Sequence, residues 1–551
     1  MSRNRHKHPP SPADGRRGLL IASKRRRRYA LPRFLARLFA VDLRALGLFR
    51  IGLALLLLAD YIGRFMDVDA FYTDAGLVPR EVAERWNGGD WWSYVSPYMW
   101  FGDRTPTLVL FSIAFFAGVC LLVGWRTRLA TIVSWGLLAA LHTRNPVVLH
   151  GADQETRLLL FWSMFLPLGA RFSLDGLAAH RVAGGLPRPK RVVSFGTAGM
   201  LLQIACLYWF AVLLKNGVEW RHDFTALYYA LSIESYTTPF AHYLRDLRWA
   251  MKPLTVLTLC LEGGGPVLAL LPLRTWKLRA AIACVFIFFH LVLLNLAFDL
   301  GPFPYVAALA WVLFLPSPVW NRVARLWHKL PGVPPKHATE RAREAVVAWR
   351  NHSVARATAK RAARGLRPPA ITPHPVAQTV AALALAFVVL YNTRTIEDFP
   401  PLRQIPRLPD VLVWTTRLDQ RWGMFAPKPM IDDGWFVAVA HTRDGTEFDL
   451  LTHRAPVSWE KPPFIARMYP SERWRKYQMN LWGLMNDWQR PYFLRYLARQ
   501  WNQTHKGPGE VSHIDLYYVR RNTLPDYQAS KLEPLVICNY DVDTDPKYNK
   551  Q

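Results

Sequence analysis

Long apolar runs, each bounded by basic or polar residues, alternate along the chain up to about residue 395. A bilayer core takes roughly 20 apolar residues of helix to cross. Runs near 46–64, 106–124, 129–147, 155–170, 195–214, 252–271, 278–298, 303–317 and 377–393 therefore predict about nine transmembrane helices. Beyond them the pattern changes. Trp435–His441 and Thr446–Thr452, joined by Asp444-Gly445, predict a β-hairpin with a tight turn. A helical stretch over about 472–503 follows, then an alternating strand at Ile514–Arg520 and another at Leu535–Tyr540. The expected fold is an all-α polytopic membrane bundle with a C-terminal soluble α+β domain.

This divides the chain into a basic N-terminal segment (1–42), a transmembrane domain (43–317), a basic loop (318–376), a last transmembrane helix (377–394) and a soluble domain (395–551). The mean hydropathy of +0.03 averages these unlike parts.

The charge pattern orients the helices. Loops at 125–128, 171–194, 272–277 and 318–376 are basic, whereas those at 65–105, 148–154, 215–251 and 299–302 mix acids with bases. By the positive-inside rule the N-terminus is cytoplasmic and the C-terminal domain lies on the opposite side. The net charge of +29 sits beside apolar runs, as in Lys24–Arg28, which points to anionic lipid headgroups and not to nucleic acid. Of five cysteines, four lie in apolar runs and none forms a C-x-x-C, so no disulfide framework or zinc site is expected.

Phosphate-loop, dinucleotide, zinc-protease and serine-hydrolase motifs are absent. Candidate chemistry must then come from ionisable residues placed where lipid makes them costly. These are Arg50, Arg157, Glu262, His290 and, at the end of its run, Lys215. Glu262 heads Glu-Gly-Gly-Gly-Pro, which is expected to break its helix and line a cavity. An internal salt bridge with Arg50 is the structural alternative. Lys215 is either an interfacial anchor or a desolvated amine able to act as a base. His290 precedes Asn295 and a turn at Gly301-Pro302, which suggests a pocket near that level.

Taken together these segments resemble the vitamin K-dependent gamma-carboxylase family, and more narrowly its bacterial branch of HTTM-domain proteins. The resemblance runs from about Leu43 to Pro316. It rests on Leu48–Gly52, Phe71–Pro79, Arg144–Pro146, Gly151–Asp153, Arg157, Phe161–Asp175, Lys215 with Trp220, and His290–Tyr305. Trp422–Pro427 and Asp433–Trp435 look like the family's membrane-exit segment.

The resemblance implies a cavity served by Lys215 and His290, with Asp153, Arg157, Trp220, Glu262 and Asn295 around the substrate. It implies that a lysine deprotonates a reduced quinone, which oxygen converts to its epoxide; the strong base so formed then drives carboxylation of a glutamate in a protein substrate. The family carries two adjacent lysines where Leu214 and Lys215 stand here, and the spacing to Asn295 is altered. These departures retain the quinol-oxygenation half, with a vitamin K- or menaquinol-like quinone and no metal, and leave the carboxylation half without support. The resemblance also implies a bacterial inner membrane. A non-enzymatic membrane scaffold that binds partners through residues 395–551, and a transporter built on a broken Glu262 helix, are the rival readings.

Overall fold

The computed structural model describes residues 33–89, 91–182, 190–272, 276–327, 329, 374–396, 410–528 and 530–548. The Lys24–Arg28 run and most of the 318–376 loop lie outside the described residues.

After a short helix at Arg33–Phe39, the first long helix, Leu43–Met66 (α1), begins where the Asp42 carboxylate accepts the Arg44 amide at 2.8 Å, a bond that satisfies an orphan donor of the first turn. Next come Arg104–Val123 (α2), Thr127–Arg144 (α3), Gly151–Ser163 (α4) and Phe195–Leu214 (α5). They are followed by Pro239–Asp246 (α6), Arg248–Leu270 (α7) and Trp276–Phe288 (α8), which a π turn at Phe289–Leu294 prolongs to Ala297. Phe303–Trp311 (α9), Ser317–Trp327 (α10) and Pro375–Arg394 (α11) complete the helical part.

Among the described residues six helices are long and apolar enough to cross a membrane: α1, α2, α5, α7, α8 with its extension, and α11. The stretch from α9 to α10 qualifies only as one span bent by 102°. The expected runs at 129–147 and 155–170 form helices too, but with a different character. α4 is 13 residues long, about 20 Å, against a hydrocarbon core of about 30 Å. In α3 and α4 the polar residues Thr131, Ser134, His142, Arg144, Asp153, Glu155 and Arg157 are all buried, so they face protein and not lipid.

Neighbour contacts run α1–α2–α3–α4–α5–α7–α8–α9 and back to α1, closing a ring; α9 also reaches α4, and α11 lies outside against α5. Close approach sets some of these contacts. A Cβ at Gly199 of α5 would stand 2.0 Å from the Trp162 ring of α4. One at Gly265 of α7 would stand 2.3 Å from the Phe286 ring of α8.

The expected break at Glu262-Gly-Gly-Gly-Pro does not occur. α7 runs unbroken from Arg248 to Leu270 with Pro253 and Pro266 inside it. The glycine run lets α7 meet its neighbour closely, and bundle contacts hold the turn that Pro266 weakens.

The C-terminal part is α+β, as its pattern predicts. Asp432–Thr442 (β1), Glu447–Asp449 (β2), Val511–Asn522 (β3) and Glu533–Asp541 (β4) form one antiparallel sheet in the order β2-β1-β3-β4. Asp444 and Gly445 make the hairpin turn. The expected helical stretch splits at Gly483 into Glu472–Trp482 (α12) and Arg490–Thr504 (α13). Trp482 stacks on Tyr518 of β3 with centroids 4.0 Å apart, and Phe448 meets Trp501 of α13 at 4.5 Å. This sheet domain shares a continuous apolar core with the bundle: Phe71 packs edge-on to Trp474 and Tyr477 of α12 at 5.1 and 5.8 Å.

Candidate functional site

Lys215 is the C-cap residue of α5 and is only 2% exposed. Its ammonium bonds the Glu262 carboxylate of α7. The ring of Trp220 lies beneath the ammonium, 4.9 Å from Nζ to centroid, a cation–π arrangement. Trp220 in turn donates from Nε1 to the Phe425 carbonyl at 2.8 Å, and the Gly217 amide donates to the Pro427 carbonyl at 3.0 Å. The Trp422–Pro427 segment thus holds Trp220 and Gly217 beside the Lys215–Glu262 pair.

Arg50, offered by the sequence as the partner of Glu262, is elsewhere. Its guanidinium donates to the carbonyls of Leu121, Leu122 and Phe172. Those carbonyls belong to the end of α2 and to the irregular turn at Phe172.

His290 is buried in the π turn of α8. The Tyr208 hydroxyl of α5 lies 2.6 Å from His290 Nε2, and Trp311 Nε1 donates to the same hydroxyl at 2.8 Å. His290 Nδ1 has no hydrogen-bond partner among the described residues. Asn295 does not meet the His290 ring. It donates to the His290 and Leu291 carbonyls at 3.2 and 3.1 Å, satisfying its own helix where the wide turn loosens it. Tyr208 stands seven residues before Lys215, two turns along the same face of α5 and about 10 Å away.

Asp153 and Arg157, one turn apart on α4, belong to a third group. Asp153 receives Arg64 Nη2 at 2.7 Å and Arg473 Nη2 at 3.1 Å. Arg64 also bonds Asp60 at 2.8 Å, and Arg473 reaches Asp60 as well. Two arginines thus balance two aspartates, all drawn from α1, α4 and α12. His150, the N-cap of α4, approaches Asp153 at 3.3 Å and serves the helix start through a capping box. Arg157 donates to the Asp419 carbonyl at 2.7 Å and to its carboxylate at 3.1 Å. His142 lies between, 3.6 Å from Asp153 and 3.5 Å from Arg157.

Asp419 opens a non-helical strip in which Gln420 and Trp422 are buried. Gln203 donates to Gln420 at 2.6 Å, and Trp422 donates to the same oxygen at 2.9 Å. Gln203 lies 12 residues before Lys215 on α5, about 18 Å deeper. Irregular backbone at such depth is stable when enclosed by protein. Beside it, Glu155 lines a cavity of about 10 Å³ with Gln203 and Trp422, room for one water.

The turn at Gly301-Pro302, expected to open a pocket, is covered by α12. Arg475 bonds Asp299 through its carboxylate at 3.0 Å and its carbonyl at 2.7 Å. Two cavities lie in and beside the sheet domain: one of about 630 Å³ walled by Trp435, Phe436, Trp474 and Trp501, and one of about 210 Å³ between α6 and the sheet.

The seven expected site residues therefore fall into three groups: Lys215, Glu262 and Trp220; His290 with Asn295 on its backbone; and Asp153 with Arg157. Tyr208 links the first two along α5. Sequence reasoning missed Asp60, Arg64, Tyr208, Arg473 and Asp419. Asp60 and Arg64 are an i,i+4 pair within the first apolar run, a signal open to direct reading. Arg473 and Asp419 carry no such mark. No protein-family model matches the chain, and neither the curated proteins nor the solved structures hold a match.

Proposed function

We propose that the chain is a membrane protein of about nine spans, with its N-terminus in the cytoplasm and its sheet domain outside, that oxygenates a reduced quinone with Lys215 as base. The loop charges support the orientation, and a bacterial inner membrane fits the resemblance. The observation that carries the chemistry is the Lys215–Glu262 pair, a buried amine and carboxyl in direct contact, with the amine over the Trp220 ring. That amine takes a hydroxyl proton from the quinol. Dioxygen adds to the resulting anion; one oxygen atom stays in the epoxide and the other leaves as water with the two quinol hydrogens. Trp422–Pro427 must move for a quinol to reach Nζ.

The test is direct. Purified protein is incubated with reduced menaquinone or vitamin K and oxygen, and epoxide is measured by mass spectrometry. Lys215→Ala is expected to lose at least about a hundredfold in turnover while remaining folded by circular dichroism. Epoxide formation that survives in the variant overturns the reading.

The second reading, a partner-binding scaffold, is favoured by the closure of the bundle under α12 and Trp422–Pro427. It expects no epoxide from folded wild type with any of several quinols.

A further inference from the structure

The cavity of about 210 Å³ lies where α6 and the start of α7 meet the sheet. Its walls carry Arg245, Arg248, Lys461 and Arg521 against Glu234, Asp246 and Asp433. The acids are largely engaged. Glu234 bonds Lys461 and stands 3.7 Å from Arg521. Asp246 stands 3.4 Å from Arg245. Asp433 accepts the Glu234 amide at 2.6 Å, and burial pushes its carboxyl up to about 7. Near neutral pH the walls therefore hold a surplus of positive charge.

Arg248 is the cation left over. Its guanidinium lies over the Tyr527 ring at 4.3 Å, and among the described residues it has no carboxylate partner. A guanidinium held by its face keeps its N–H edge for an oxyanion. Tyr527 is itself fixed against Tyr228 at 4.4 Å, so the platform is built in.

Position narrows the ligand. α7 is long and apolar enough to cross a bilayer, and Arg248 is its first residue. Beside it Phe240, Tyr243 and Trp249 are exposed, Trp249 to 79%. Exposed aromatic rings at the end of a spanning helix mark headgroup depth.

We propose that this cavity binds a phosphate group, held by Arg248 with Arg245 and Arg521, carried by an anionic phospholipid whose chains lie along α7 or by a soluble phosphate ester. The site is independent of the quinol chemistry at Lys215, so either proposal can fail alone.

The full chain in detergent is titrated calorimetrically with dihexanoyl phosphatidylglycerol, with inorganic phosphate, and with a phosphate-free monoacylglycerol. Arg248→Gln is expected to weaken the phosphate-bearing probe at least about tenfold, and Lys506→Gln, a charge change in the loop after α13 and outside the cavity lining, to leave it unchanged. Arg245→Gln is a second variant should Arg248→Gln melt early without ligand. Phosphatidylglycerol binding far tighter than phosphate assigns the lipid; equal binding assigns a soluble ester. The proposal is overturned if wild type binds neither phosphate probe, if the monoacylglycerol binds as well as phosphatidylglycerol, or if folded Arg248→Gln and Arg245→Gln bind like wild type.

Discussion

At the scale of single residues, the cost of charge in an apolar run made Lys215 and Glu262 visible in the sequence. That cost names the residues and not their partners. Glu262 pairs with Lys215, whereas the Arg50 guanidinium bonds the carbonyls of Leu121, Leu122 and Phe172. Spacing along one helix says nothing about which helix stands opposite. Asp433 could not have been found by this reasoning, because an acid in a soluble strand reads as solvated. Its burial arises only where β1 meets the loop at Glu234. A testable consequence follows for pH. The unfolded Asp433 loses its proton near 4, while the native one holds it to about 7. Between those values the native state binds more protons, so this group's contribution to stability declines as pH rises from 4 to 7 and then levels off. Asp433→Asn keeps the acceptor for the Glu234 amide and removes the ionisation. Its stability advantage over wild type is expected to grow by roughly 2–4 kcal/mol between pH 5 and pH 8. Melting temperatures across that range check it, and a difference independent of pH refutes it.

At the scale of elements, periodicity carried most of the information. The six bilayer-length helices and the hairpin at Asp444-Gly445 stand where the apolar pattern and turn chemistry put them. Glu262-Gly-Gly-Gly-Pro was misread because glycine and proline break isolated helices in water, whereas a packed bundle uses glycine for contact. The glycines are not equivalent. Phe286, which a Cβ on Gly265 would strike, is stacked on Trp311 at 3.9 Å and has no room to yield. Gly264 has nothing within 4 Å of the same position. Gly265→Ala is therefore expected to cost about 1–3 kcal/mol and Gly264→Ala to be neutral or slightly stabilising. Thermal melts of the two variants in detergent decide between packing and a functional break; equal losses would speak against packing.

At the scale of the molecule, α12 joins the two halves. Its successive side chains bond different bundle elements: Arg473 to Asp60 and Asp153, Trp474 to Asp67, Arg475 to Asp299, and Asn480 to the Val147 carbonyl. Truncating Arg473 would leave two buried aspartates to one arginine. Arg473→Ala is expected to lose about 3–5 kcal/mol and to raise amide exchange throughout 472–504. Arg473→Lys is expected to recover only part, since one ammonium cannot span both carboxylates. Exchange at wild-type rates in Arg473→Ala would mean that apolar contacts alone hold the domain.

The sequence by itself determined where the six bilayer-length helices lie, though it expected about nine, and the α+β character of the C-terminal part and most of the costly charges in apolar runs. Those properties are local: they depend on hydrophobic period, turn residues and desolvation. Only the tertiary structure decided which charges pair, that α7 stays whole, that residues 418–427 thread beside α4 and α5, and that α12 closes the bundle. Those outcomes depend on contacts between residues far apart in the chain, which no local pattern encodes.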